Sequence, residues 1–201
     1  VAEFEHALKV TGMRVFNVYD YYWLADDGRV YSSAKQEIVN STDPDYAAWF
    51  ADGNVAKSWP RALDGSQTDK TLQEYLKPYN LFAGLRDYVG FKRRQREQGG
   101  MVSSAGFPVK TDAHSQTRIM GLYILQKENE EAATAFHDAD GNVHQLDAAG
   151  MRQLATDLLE HINDGFTISA SVLSRIGAHV IRNRKEVDAA FAAKEKDLKK
   201  G

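Results

Sequence analysis

Apolar and polar positions change period several times along this chain. From residue 14 to 39 the stretch VFNVYDYYWLA and the later RVYSS are rich in β-branched and aromatic side chains, with Asp27-Gly28 between them. An Asp-Gly pair tolerates positive φ, so the pattern predicts a hairpin. The next stretch, STDPDYAAWFADGN, predicts a short helix with complete punctuation. Asp43 is placed to cap the free amides, Pro44 fits the first helical position, and Gly53 suits the left-handed residue past the end. Tyr46, Trp49 and Phe50 fall at i, i+3 and i+4 and form one aromatic face. Residues 54–67, NVAKSWPRALDGSQ, predict a loop that turns at Asp64-Gly65 and separates two units.

Helical spacing returns at TDKTLQEYL, breaks near Pro78 and resumes through LFAGLRDYVGFKRRQREQ. There Leu81, Leu85, Tyr88, Val89 and Lys92 follow the amphipathic three-and-four rhythm. MVSSAGFPVKT predicts a second hairpin turning at Ala105-Gly106, and a helix follows from Asp112 to about Leu125. AATAFHDADGNVHQL repeats the hairpin pattern around Asp140-Gly141. Asp147 then caps a helix whose buried stripe is Met151, Leu154, Leu158 and His161 or Ile162. NDGFTIS is expected to be a linker, and from Ala170 a single helix is expected almost to Gly201. In it Leu173, Ile176, Val180, Asn183, Val187 and Ala190 alternate by three and four, with Phe191 alongside. That spacing is a heptad seam with one polar Asn in a core slot. It suits either a helix packed within the chain or a homo-oligomer formed through the C-terminal helix. The tail FAAKEKDLKKG is mostly charged and is expected to fray. The predicted fold class is α+β: two small units of short β-hairpins packed with helices, 1–66 and 67–201, ending in a long C-terminal helix.

Composition narrows the chemistry. The 201 residues are 43% hydrophobic and 26% charged, enough for a real core. A net charge of -3 and a pI near 6.1 argue against a nucleic-acid partner held by a global positive field. Cysteine is absent, which excludes disulfides, thiolate zinc sites and a cysteine nucleophile. The start, VAEFEHALKVTG, has neither a basic nor an apolar leader region, so no signal peptide is expected. No apolar run reaches the roughly 20 residues a membrane helix needs, and no membrane partner is expected.

Four groups of residues could carry chemistry. Asp112, His114 and Ser115 look like a crowded triad, but neighbours at a helix start point in different directions, so Asp112 reads as a cap. In HDADGNVH, a two-residue turn at Asp140-Gly141 would make His137 and His144 cross-strand partners. Two imidazoles fall short of the three or four ligands a metal site needs. The run Asp138-Ala139-Asp140-Gly141-Asn142 has its glycine too early for a calcium loop, and Ala149 stands where the closing Glu would be. The basic run at 92–96 reads as a dipole-complementing helix end, with phosphate binding as the sharper alternative. No glycine-rich phosphate loop occurs. No catalytic residue, cofactor or metal is expected.

The segment from about Leu85 to Leu198 resembles a family of uncharacterised domains of tailed bacteriophages and prophages. The resemblance rests on RDYVGFKRRQREQGG, GFPVKTDAHSQTRIMG, FHDADGNVHQLDAAGM and VDAAFAAKEKDL, in that order. HINDGFTISASVLSRIGAHV departs from it by being longer than the family's usual link. WLADDGRVYSSAKQEIV followed by DPDYAAWFADGNVAKSWP is similar to a module of tail-fibre assembly and tail-fibre-associated proteins. These resemblances imply a non-enzymatic structural or connector component of the virion tail, made in the host cytoplasm. Its expected partners are tail-fibre or baseplate proteins; the alternative is a tail-fibre assembly chaperone. The docking surfaces expected from the pattern are Tyr46, Trp49 and Phe50 in the first unit. In the second they are Leu173, Ile176, Val180, Asn183, Val187 and Phe191.

Overall fold

The computed structural model describes residues 15–129, 131 and 133–198, so the VAEFEHALKVTG stretch lies outside the described residues. The architecture is mixed, with small sheets of two to four strands set among helices. The chain divides into two compact units, Val1–Tyr88 and Val89–Gly201. The expected join lay at 66–67, but the helix that follows it belongs to the first core.

The first unit is built on a four-stranded sheet. Strands β1 (Tyr22–Leu24), β2 (Val30–Ser32) and β3 (Glu37–Val39) form an antiparallel meander, and β4 (Lys57–Ser58) adds in parallel to β1, giving the order β3-β2-β1-β4. The Asp27-Gly28 turn forms as the sequence predicts, with Gly28 at φ +87°. Strand alternation separates two cores. On one face Tyr22 and Val30 receive Tyr46 and Trp49 from α1 (Pro44–Ala51). On the other, Trp23 and Tyr31 pack with Trp59, Leu81 and the buried Leu72 and Leu76 of α2 (Asp69–Leu76).

Both helices start on side-chain caps, that of α1 as the sequence predicts. Asp43 accepts from the amides of Asp45 and Tyr46, Pro44 stands in the first turn, and Gly53 takes φ +84°. Thr68 caps α2 in a reciprocal box with Thr71. The stretch read as a loop contains β4, which the sequence pattern missed because two exposed residues carry no alternation. A 3-10 turn at Lys77–Tyr79 accounts for the break at Pro78. Leu81 is buried but precedes the next helix, which starts only at Leu85.

The division between units falls within α3 (Leu85–Gln98). The second unit continues with hairpin β5 (Met101–Val102) and β6 (Pro108–Val109), then α4 (Ala113–Glu128). Hairpin β7 (Thr134–His137) and β8 (Val143–Leu146) leads into α5 (Ala148–Gly177), and α6 (Arg184–Leu198) ends the described chain. Its core is mostly aliphatic: Ile119 of α4 and Met151, Leu154 and Leu158 of α5 meet Val109 and Phe136 from the hairpins.

The structure corrects two expectations here. NDGFTIS is not a linker but the middle of the 30-residue helix α5. Gly165 is buried there beside the side chains of Arg93 and Arg96, and a Cβ on it would meet them at 3.7 Å, an ordinary van der Waals contact. The expected single helix from Ala170 is instead broken. At its C-terminus α5 closes with His179 at φ 56°, whose amide donates to the Ile176 carbonyl while that of Val180 donates to Arg175. This is a Schellman turn with a histidine in the position glycine usually fills.

Candidate functional site

The break at His179 dismantles the heptad seam. Leu173 and Ile176 lie on α5, half-buried, while Val180 sits in the turn, 59% exposed. Asn183 is no core residue: its Oδ1 accepts from the Glu186 amide, and the Glu186 carboxylate accepts from the Asn183 side chain and the Arg182 amide. Val187, Ala190 and Phe191 are buried within the second unit, where α6 packs on α5. A continuous self-association stripe along this helix therefore does not exist.

The aromatic trio is also split. Tyr46 and Trp49 are core residues, with ring centroids 5.0 and 4.9 Å from Tyr22. Trp49 Nε1 is buried without a hydrogen-bond acceptor among the described residues, and its ring stands edge-on to Tyr21 at 5.1 Å. Phe50 alone stays on the surface, 59% exposed, because it lies on the flank of α1 away from the sheet.

The residues that resemble a family signature do converge, on backbone rather than on chemistry. Gly99 ends α3 where a Cβ would lie 2.9 Å from the Gln95 carbonyl oxygen. Gly100 takes φ +88° and donates its amide to Oγ1 of the fully buried Thr111. Asp112 then caps α4, accepting from the amides of His114 and Ser115 and from the Ser115 hydroxyl. That hydroxyl and the two amides hold the Asp112 carboxyl below the usual range. The crowded trio is thus a helix start, as its spacing predicts.

His137 and His144 are not partners. The register pairs His144 with Phe136 and His137 with Val143, since the turn spans Asp138 to Asn142 and Gly141 takes φ +91° as an added bulge residue. His144 instead stacks on Phe107 at 4.1 Å and meets the Asp138 carboxylate at 2.9 Å. The same carboxylate accepts from the amides of Asp140 and Asn142 and from the Asn142 side chain. The His144 bond, then the Asn142 bonds, depress the Asp138 carboxyl strongly. With its oxygens filled by protein donors, the loop is a hydrogen-bonded turn. No three His, Cys, Asp or Glu side chains gather to hold a metal among the described residues.

The basic run at 92–96 is largely engaged inside the second unit. Lys92 pairs with Asp188 at 3.2 Å, and Arg93 lies over the Phe166 ring and pairs with Glu97. Arg96 donates to the His161 carbonyl and to Asp164. His161 Nε2 faces the Arg96 carbonyl at 3.1 Å, and burial, then the Arg96 charge, pushes its pKa down.

Sequence reasoning missed one concave region. A cleft of about 900 Å³ lies between the β5–β6 hairpin, the end of α3 and one face of α5, lined by Arg96, Lys110, Asp157, Glu160, His161 and Asp164 among others. Asp157 accepts from the amide and hydroxyl of Ser104, 2.7 and 2.6 Å away. Burial alone would raise this carboxyl, but the Ser104 bonds outweigh it and hold it low. The Ser104 hydroxyl thus bonds a carboxylate and not an imidazole, and His161 Nε2 is committed to a backbone carbonyl. The 157, 160, 161, 164 spacing on one helix face was the available signal, hidden because Asp164 falls in the stretch expected to be a linker.

The fold is therefore a mixed α/β protein of helices and small sheets. Residues 82–195 match a family described as a domain of unknown function (DUF4376), and the chain belongs to that family. No curated protein and no solved structure matches the chain.

Proposed function

We propose that the protein is a non-enzymatic connector of a phage tail, associated with the tail fibre or baseplate and acting through docking surfaces. The observation that carries the reading is how the reactive side chains are used. Asp112, Asp138, His144, Asp157 and His161 are each bound into caps, turns or helix contacts, while large apolar side chains such as Phe50, Ile124 and Leu125 face outward. Polar groups tied to fixed partners stabilise a shape; exposed apolar side chains supply area for a partner. The resemblance of both segments to tail proteins gives the context. No described helix is long and apolar enough to cross a membrane, in keeping with a protein partner.

The test is quantitative mass spectrometry of purified particles. A fixed number of copies per particle is expected. Presence on unassembled fibres with none in finished particles would instead indicate the assembly chaperone. Undiminished virion infectivity and morphology after deletion of the gene would overturn both readings.

A further inference from the structure

We infer that the outward face of α4 is a self-association surface, on which a second copy of this chain docks antiparallel. Helix α4 buries Ile119 and Gln126 on its inner side, with Tyr123 packed against the same core. At about 100° per residue, Arg118, Gly121, Leu125 and Glu128 fall on the opposite side, and all four are exposed. Their spacing is 3, 4, 3, that of a helix–helix seam, and Ile124 flanks it. Ile124 and Leu125 are 56% and 63% exposed, so apolar area lies at the middle of the face.

Gly121 is not required by packing among the described residues. A Cβ built there meets nothing within 4 Å, and glycine in a helix interior is a destabilising choice. On the outward face it leaves a hollow one turn from a protruding Leu125. About a two-fold axis near residue 123, each Leu125 enters the hollow at Gly121 of the other copy.

Charge selects the same arrangement. Arg118 and Glu128 have no ion-pair partner among the described residues. Ten positions apart, they are separated by roughly 15 Å along the helix and cannot pair within it. Glu128 also sits in the last turn, where the helix dipole disfavours an anion. The antiparallel pairing that sets Leu125 against Gly121 sets Arg118 against Glu128 of the other copy, twice by symmetry. A parallel pairing would set like charges together. The occupant that fits this face is a second α4.

Sedimentation equilibrium on the full chain tests this, with circular dichroism confirming that each variant folds. The wild type is expected to dimerise with a micromolar dissociation constant. Arg118→Glu or Glu128→Arg alone should weaken the dimer at least about tenfold, since each creates two repulsive contacts. The double reversal should return it to within about threefold of wild type. Gly121→Leu, which enters open space in the monomer, should weaken it about tenfold by filling the hollow. A wild type that stays monomeric at several hundred micromolar, in keeping with no interface at all, would overturn the proposal. So would a dimer that ignores the single reversals, or a folded double reversal that does not recover.

Discussion

The two units reach a core by different means. The first lays aromatic side chains on both faces of one small sheet: Tyr22, Tyr46 and Trp49 on one side, Trp23, Tyr31 and Trp59 on the other. The second packs aliphatic side chains between two helices, Ile119 against Met151, Leu154 and Leu158, and edges them with two short hairpins. Strands of three residues contribute few ladder bonds, so the first unit depends on the large area each ring buries. The second depends on helix length and on polar latches, the Gly100–Thr111 bond and the Asp138 turn, to hold its hairpins in place. The difference teaches where each unit is vulnerable.

The largest expected effect is Trp23→Ala. Trp23 is 1% exposed at the centre of its cluster, and the substitution should cost about 3–5 kcal/mol in chemical denaturation. The counterpart in the second unit is Leu158→Ala, fully buried and expected to cost about 2–5 kcal/mol. A cost below about 1 kcal/mol for either change would break the comparison.

A pH series probes the latches. Asp138 has a folded pKa below its unfolded value near 3.9, so its contribution is complete above that value. It is lost as the pH falls from there toward the depressed folded value. Asp138→Asn should lower stability at neutral pH and flatten the acid limb of the stability profile. An unchanged acid limb would remove Asp138 from the account.

Asn183→Leu separates cap from seam. A heptad core position would gain from leucine, whereas the loss of a cap should cost about 1 kcal/mol, read by thermal or urea unfolding. The smallest effect is expected from Trp49→Phe. It deletes a buried N–H that has no acceptor among the described residues while keeping most of the ring, and should stay within about 1 kcal/mol of wild type. A large loss would show that the indole N–H has a partner.

Much of this was legible because turn and cap chemistry is local. Asp43-Pro44 with Gly53, Asp112, Asp147 and the Asp-Gly turns act through their own backbone and mark their elements, although around Asp140-Gly141 the turn is wider than the pattern suggests and shifts the strand register. What stayed hidden depends on partners distant in sequence. Asn163-Asp164-Gly165 spells a turn, yet all three lie inside α5, where Gly165 is buried beside Arg93 and Arg96. Gly177-Ala178-His179 spells a continuing helix, yet His179 adopts the left-handed conformation and ends it. β4 exists because Trp23 and Leu24 offer a free edge to Lys57 and Ser58. The site residues followed the same rule. Asp112 was readable as a cap, while the Ser104–Asp157 and Arg96–His161 contacts join residues more than fifty positions apart.

The proposed role is docking in a phage tail. Immunogold labelling of purified particles, with an antibody raised against the folded protein, tests it most directly. The account predicts gold at the tail, on fibres or baseplate, in a constant position from particle to particle. Gold absent from the tails of intact particles, whether or not free fibres are labelled, would contradict it.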